Sequence, residues 1–223
     1  MSVSRRAVGR PRAVSRPSSG LSPREEILAA AGELFTVRGY AATSTREIAE
    51  RAGIRQASMY HYFGGKEEIL ASLLESTVRP SLETARTLGD ASAPPEARLW
   101  ALCYQDARLL CTGTHNLGAL YLLPEAERVT GFQDLRAELK DAYDDLLART
   151  AAASALPDDE RTARSRLVFS LVEGVILIRR DNPGLDPDGT AGATANAALR
   201  VGGVPERDLP RLARLGRGLL DAA

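Results

Sequence analysis

Aromatic side chains are scarce in this 223-residue sequence, at 5%, and it contains only two cysteines, two histidines and one tryptophan. Each scarcity excludes a class of chemistry. His61 and His115 are the whole histidine supply, and neither a Gly-rich phosphate loop nor a nucleophile motif accompanies them, so an enzyme is not expected. Cys103 and Cys111 stand eight residues apart in what reads as one helix, which separates their Cα atoms by ~12 Å at ~1.5 Å per residue. That distance rules out a disulfide between them. Cys111 and His115 at i, i+4 offer two metal ligands or a Cys–His pair, but no third ligand of suitable spacing joins them and Gly113 interrupts the helix. No metal and no cofactor are expected on that basis.

Long hydrophobic runs are missing as well. The longest, Leu167 to Ile178, is broken by Ser170, Glu173 and Gly174 and falls short of the ~20 residues that a membrane span requires. The first twenty residues are rich in Arg, Ser and Pro without the apolar centre of a signal peptide. A cytoplasmic protein with a disordered basic arm over residues 1–21 is therefore expected, with no membrane partner. Strand signals are nearly absent too: alternation of β-branched and aromatic residues is rare, whereas Ala, Leu, Arg and Glu recur at spacings of three and four. The fold class read from this pattern is all-α.

What the sequence does have is ordinary globular composition, 44% hydrophobic and 26% charged, with 29 basic and 29 acidic residues. The zero net charge hides a polarity. Residues 1–66 hold 11 basic and 5 acidic residues, a net +6, and the remaining 157 hold 18 and 24, a net −6. A basic end facing a polyanion, joined to an acidic body, is the simplest reading. The length fits one compact unit or a small module fused to a larger one.

Helices can be placed along the chain. Ser22 as N-cap, Pro23 at the first helical position and Glu25 and Glu26 in the first turn begin one that Gly39 closes. A second runs from about Thr45 to Ala52, capped by Ser44 or Thr45 and broken by Gly53, and a third from about Arg55 to Tyr62. Lys66 to about Leu88 forms a longer one that Pro80 should kink or end. Further helices are expected at 96–111, around 117–122, and over 132–153, 158–180, 190–200 and 206–220. The helix from Asp158 is apolar on more than one face, as a helix packed on several sides would be.

Residues 39–66 carry the most information. Two short helices meet at Gly53, with Ile54 just after it and the small Ala49 where the helices would cross, the pattern of a helix-turn-helix. The second of these helices exposes Arg55, Gln56, Ser58, Tyr60 and His61 while Ile54, Met59 and Phe63 face inward, and it contains no carboxylate. Donors and short side chains without negative charge suit a surface that enters a DNA groove.

The segment from about Ser22 to Leu74 resembles the N-terminal domain of the TetR family of bacterial transcriptional regulators. The resemblance rests on Phe35-x-x-x-Gly39-Tyr40, Thr43-Ser44 or Thr45, Ile48-Ala49-x-x-Ala52-Gly53-Ile54 and Met59-Tyr60-x-Tyr62-Phe63-x-x-Lys66, about a quarter of the chain. It implies a helix-turn-helix domain over 22–68 and a helical effector-binding and dimerisation domain over 69–223. It also implies a homodimer that binds a double-stranded, palindromic DNA operator, most often as a repressor, and a small-molecule effector that releases it. Carried onto this chain, Thr45 and Arg46 would touch the DNA backbone and Tyr60, Tyr62 and Lys66 the phosphates. Arg55, Gln56, Ala57, Ser58 and His61 would face base edges. Arg55 and Ala57 stand where many members have Ser and Gly, so operator preference does not carry over, and Arg55 is the candidate for a bidentate guanine contact. In the body, Trp100, Cys103, Tyr104, His115, Asn116, Tyr121, Phe132 and Phe169 combine aromatic bulk with a few polar groups, as small-molecule pockets do, and are the candidate effector-binding residues. The helix from Asp158 to Arg180, with the C-terminal helices, would form the dimer interface. The alternative reading is a small-molecule sensor whose helix-turn-helix is vestigial.

Overall fold

A computed structural model describes residues 20–222. The basic arm expected over 1–21 lies outside these residues except for its last two positions. Among the described residues there is no strand: nine α-helices and four short 3-10 turns account for the fold.

The first helix, α1 (Pro23–Val37), begins as its sequence dictates. Ser22 accepts from the Glu25 N–H while the Glu25 carboxylate accepts from the Ser22 N–H at 2.8 Å, a reciprocal capping box. The second, α2 (Thr45–Ala52), repeats the device with Ser44 and Glu47, which settles the cap on Ser44. It ends at Gly53, whose φ of +77° no side-chain-bearing residue adopts cheaply. The third helix, α3, is only Gln56–Met59; the chain from Tyr60 to Tyr62 continues as turns instead of as helix. Arg55 at its N-cap makes no side-chain capping bond, so little holds a longer helix together there.

The fourth helix, α4, runs unbroken from Lys66 to Asp90, so the expectation that Pro80 would end it is corrected. Proline removes one backbone donor, and the turn around it is held instead by tertiary packing of Val78, Ser81 and Leu82, all buried. It is followed by α5 (Pro95–Cys111), a 3-10 turn over Leu117–Leu122, α6 (Thr130–Ala148), α7 (Asp158–Asp181), α8 (Pro187–Val201) and α9 (Leu209–Asp221). Against expectation α6 stops five residues early, at Ala148, with a separate 3-10 turn following at Ala153–Ala155, and α8 starts three residues early, where Asp186 accepts from the Asp188 and Gly189 N–H groups.

The middle of the body is α5. Twelve of its seventeen residues are buried, because α4, α6, α7, α8 and α9 all pack on it. Gly216 permits α9 to approach closely: a Cβ there would sit 2.5 Å from the Trp100 ring. One continuous apolar cluster runs from Ile27 and Phe35 in the small N-terminal unit through Leu70 and Leu74 of α4 to Leu212 of α9. The two units therefore share α4 as a common beam.

Candidate nucleic-acid interface and the cavities of the body

The helix-turn-helix is built from a few fixed points. Gly53 turns the chain, its N–H reaching the end of α2, and the Ile54 N–H bonds to the Ala49 carbonyl at 3.0 Å, which sets the angle of departure into α3. Met59 and Phe63 are fully buried and anchor the segment from beneath, with the Phe63 N–H on the Met59 carbonyl at 3.1 Å. This anchoring leaves Arg55, Gln56, Ala57, Tyr60, His61 and Tyr62 exposed together, while Ser58 is half-buried. Tyr60 and Tyr62 are 49% and 42% exposed, unusual for residues that size with a core beside them.

The polar groups on this face are partly organised. Gln56 Nε2 donates to Thr45 Oγ1 at 3.0 Å, and that oxygen lies 3.3 Å from the Tyr60 hydroxyl, tying the start of α2 to α3. Arg46 is paired with Glu50 one turn away at 2.9 Å, both largely exposed, an arrangement that holds an arginine weakly and lets it exchange partners. The Arg55 carbonyl accepts from the Ser58 and Met59 N–H groups, while its guanidinium has no hydrogen-bond or ion-pair partner among the described residues. Lys66 is placed differently from the other candidates. Its ammonium donates to the carbonyls of Tyr40 and Thr43 at 2.9 and 3.0 Å and sits 4.2 Å from the centre of the Tyr40 ring. It clamps the α1–α2 loop onto the start of α4.

The charge polarity also needs relocating. Of the 11 basic residues in 1–66, five (Arg5, Arg6, Arg10, Arg12 and Arg16) lie outside the described residues, leaving six against five acidic over 22–66, a net of only +1. Within the helix-turn-helix, three of the acidic residues are spent on arginines: Glu33 on Arg51, Glu47 on Arg38 and Glu50 on Arg46. Glu47 is held below the usual carboxylate range chiefly by the Ser44 backbone N–H it caps. What distinguishes this exposed face is the lack of any carboxylate from Ile54 to Phe63, with little surplus of positive charge behind it.

The candidate effector residues separate into groups. Trp100, Cys103 and Tyr104 are buried core of α5, where α8 and α9 close over it, and they line none of three cavities in the body. The Trp100 indole N–H donates to Asn196 at 2.9 Å, its ring stacks on Tyr104, and the Tyr104 hydroxyl donates to Asp188 at 2.9 Å. Burial pushes the Cys103 thiol far up, which makes it unreactive. Asn116 lines none of the three either; it donates to the Ile176 carbonyl and braces the 3-10 turn. His115 faces a cavity of about 410 Å³ between α1, α4 and the end of α5. The one charged group there, Arg179, is spent on the carbonyls of Leu110, Thr112 and Gly113. Tyr121 and Phe132 line a second cavity of about 500 Å³ against α7, and Tyr121 and Phe169 line a third, of about 10 Å³, deeper in the core.

Around that small inner cavity lies a polar cluster with no counterpart among the residues expected from sequence. Asp106 is 5% exposed and accepts from Ser81 Oγ at 2.8 Å and from the Tyr143 hydroxyl at 2.9 Å. It has no cationic partner among the described residues, and burial pushes its carboxyl up to about 6. Arg136 and Glu173 form a bidentate ion pair between the inner and outer cavities, with Arg136 Nε donating at 2.6 Å. One signal in the sequence points to this cluster: Asp106 occupies an apolar position of α5, in line with Leu99, Cys103 and Leu110.

A left-handed glycine between two short helices, an outward-facing polar turn, and a larger helical body joined through a single long helix are the architecture of a helix-turn-helix transcriptional regulator. The chain belongs to the TetR family: the family model for bacterial regulatory proteins of the tetR family matches residues 27–73. The crystal structure of AmtR from Mycobacterium smegmatis is similar over nearly the full length, at 44% identity, 92% of this chain, 98% of that one and a TM-score of 0.83. The repressor KstR2 of Mycobacterium tuberculosis is 40% identical over 81 residues, 36% of this chain. That match spans only 40% of the length of KstR2. AibR, whose structure holds isovaleryl coenzyme A and operator DNA, shares the fold at 20% identity and a TM-score of 0.63, over 79% of this chain and 97% of its own.

Proposed function

We propose that the chain is a ligand-responsive transcriptional regulator that binds a palindromic operator as a homodimer and leaves it when a small molecule occupies the body, so that it acts as a repressor. The observation that carries this reading is the carboxylate-free face of Arg55, Gln56, Ala57, Tyr60, His61 and Tyr62, held outward by the buried Met59 and Phe63. A vestigial helix-turn-helix would have no reason to keep two large aromatic rings exposed beside an unpaired arginine. Arg55, Gln56, Ala57, Ser58 and His61 then read base edges, and Thr45, Arg46, Tyr60 and Tyr62 position the backbone. Lys66 is placed to act through the Tyr40–Thr43 loop.

Dimerisation is assigned to α7, with α8 packed beside it. Leu167, Leu171, Leu177 and Ile178 are 37–56% exposed at spacings of four, six and one, with Ser170 and Gly174 on the same side. A Cβ on Gly174 would meet nothing within 4 Å, and Ser170, Gly174 and Leu177 also line the outer cavity, so a partner helix crossing here would form that cavity's outer wall. A two-fold axis here presents two recognition segments to half-sites about 34–36 Å apart. The effector is assigned to the paired cavities bounded by α4, α5, α6 and α7. The Thr77 hydroxyl of α4 lies 2.6 Å from the Tyr121 hydroxyl at their shared wall, and α4 leads directly to Lys66.

A salt-dependent gel shift with duplexes from the DNA flanking the protein's own coding region tests the reading. A pseudo-palindromic duplex should bind more tightly than random DNA of equal length at moderate salt. Equal binding of both would overturn it.

A further inference from the structure

The cavity of about 410 Å³ between α1, α4 and the end of α5 takes no part in the assignments above, although His115 faces it. It has the size of a small-molecule site, about 300–1,000 Å³. None of its lining residues belongs to the α7 stripe assigned to the partner subunit, so the cavity is complete within one subunit. Its mouth is formed by the exposed Ala29, Ser76, Gly113 and Thr114. The polar groups of the lining gather on the loop after α5. Gly113, at a φ of +83°, turns the chain back there, and the Arg179 guanidinium holds the turn through the carbonyls of Leu110, Thr112 and Gly113. These partners are neutral: they satisfy its N–H groups and leave its charge without a counter-ion. Arg179 is in no ion pair among the described residues, and no carboxylate lines the cavity. Glu33, whose charge reaches His115, lies outside the lining and is held by Arg51. The Thr114 hydroxyl and the His115 ring make no hydrogen bond among the described residues. A cation without a counter-ion beside two unused hydrogen-bonding groups is a pattern that an organic anion satisfies.

We propose that this cavity is a second ligand site, for a small organic carboxylate with an aliphatic body. The carboxylate lies at Arg179, Thr114 and His115, and the aliphatic part lies against Leu28, Leu73 and Leu117. Thr77 and Leu110, which line both spaces, divide the site from the inner of the paired cavities. Its aliphatic side is the seam between the two units: the Leu117 and Leu73 side chains come within 3.0 and 3.7 Å of where a Cβ on Gly32 would stand. One wall is therefore α1 of the helix-turn-helix unit, and the facing wall is α4. At that level α4 is one hydrogen bond short, because Pro80 has no N–H to offer the Ser76 carbonyl one turn back, and both residues line the cavity. A helix bends most cheaply at such a point. Occupancy then changes the angle between α1 and α4, and with it the setting of the exposed α3 face, without passing through the paired cavities.

The test uses octanoate, 1-octanol and octylammonium, one aliphatic body with three charges, on the DNA-free full chain. Calorimetry gives the affinity, and hydrogen exchange read by mass spectrometry gives the location. Because DNA is absent, failure here leaves the regulator reading standing, and failure of the gel shift leaves this one standing. Octanoate is expected to bind about tenfold more tightly than octanol, the scale of one charge-assisted hydrogen bond, and octylammonium not to bind. Bound octanoate should slow exchange in residues 28–32 and 112–118. Arg179→Gln keeps an N–H donor for the α5 carbonyls and removes the charge, so octanoate should then bind no better than octanol. Ala29 is exposed at the mouth, so Ala29→Trp blocks entry without touching the core and should abolish octanoate binding; it keeps the test decisive should the Arg179 variant fail to fold. No binding of octanoate, octylammonium binding as tightly as octanoate, protection confined to residues 122–136, or unchanged octanoate affinity in Ala29→Trp would overturn the proposal.

Discussion

Replacing Lys66 by methionine separates two roles that this residue can have in DNA binding. Methionine keeps an unbranched stem over the Tyr40 ring but removes the ammonium, and with it the hydrogen bonds to the Tyr40 and Thr43 carbonyls at 2.9 and 3.0 Å. Hydrogen bonds from a charged donor contribute ~1.5–3 kcal/mol each, and a cation over a ring adds ~0.5–1 kcal/mol. Lys66 is half-buried and the Tyr40 carbonyl keeps the Thr43 N–H at 3.2 Å, so solvent and the remaining bond reduce the total to about 2 kcal/mol. For a chain of this size that lowers the midpoint of thermal unfolding by about 4–8 °C. DNA affinity should fall with it, because the α1–α2 loop that leads into Ser44 and Thr45 loses its clamp. The salt dependence should not change, since no phosphate contact is removed. A direct phosphate contact predicts the reverse: an unchanged midpoint, and a slope of log affinity against log salt shallower by about 1.8 for two subunits. Scanning calorimetry together with gel shifts at four salt concentrations distinguishes the two. An unchanged midpoint with the shallower slope would refute the clamp.

Arg55→Ala should relax preference at one base pair in each half-site and cost ~1–3 kcal/mol on the preferred operator with little loss on random DNA, read by competition with single-base operator variants. Asp106→Asn should raise the thermal midpoint at pH 7.5. The folded state holds the Asp106 carboxyl up at about 6 against an ordinary 3.8, so the fold favours the protonated form, and this contribution is present below pH 4 and lost as pH rises through 6. The gain at pH 7.5 is on the order of 3 kcal/mol at most, and it should vanish near pH 4; a gain that persists there would point to another cause. Gly216→Ala forces a Cβ to within 2.5 Å of the Trp100 ring and 3.0 Å of the Ala97 carbonyl and should destabilise by ~1–3 kcal/mol in chemical denaturation. Leu171→Arg places a charge in the exposed stripe of α7 and should convert the dimer to monomer in light scattering, with loss of operator binding.

Local signals were legible wherever a backbone rule acts over a few residues. Ser22-x-x-Glu25 and Ser44-x-x-Glu47 are capping boxes whose every partner lies within one turn, and Gly53 is a turn residue because of its own φ of +77°. The three- and four-residue apolar periodicity gave the helices of the body in the same way. Pro80 broke the pattern: the cost of its missing donor is local, but the burial of Val78 and Leu82 that offsets it comes from other helices. The shortness of α3 had the same origin, with Met59 and Phe63 fixing the chain more firmly than helical hydrogen bonds do.

The amino-acid sequence by itself determined the class of fold, the helix-turn-helix and the family, and which side chains around the third helix are buried as its anchor, because all of these follow from the order and spacing of neighbours along the chain. Only the tertiary structure decided which large residues enclose empty space. Trp100, Cys103 and Tyr104 look like pocket residues in a helix, and become core because α8 and α9 close over them. Asp106, Arg136 and Glu173 come from α5, α6 and α7 and meet at one wall, as far as 67 positions apart between Asp106 and Glu173. A cavity is a property of how helices fail to fill the space between them, and a charge balance inside it depends on which side chains three separate helices turn inward. Neither is carried by any one stretch of sequence.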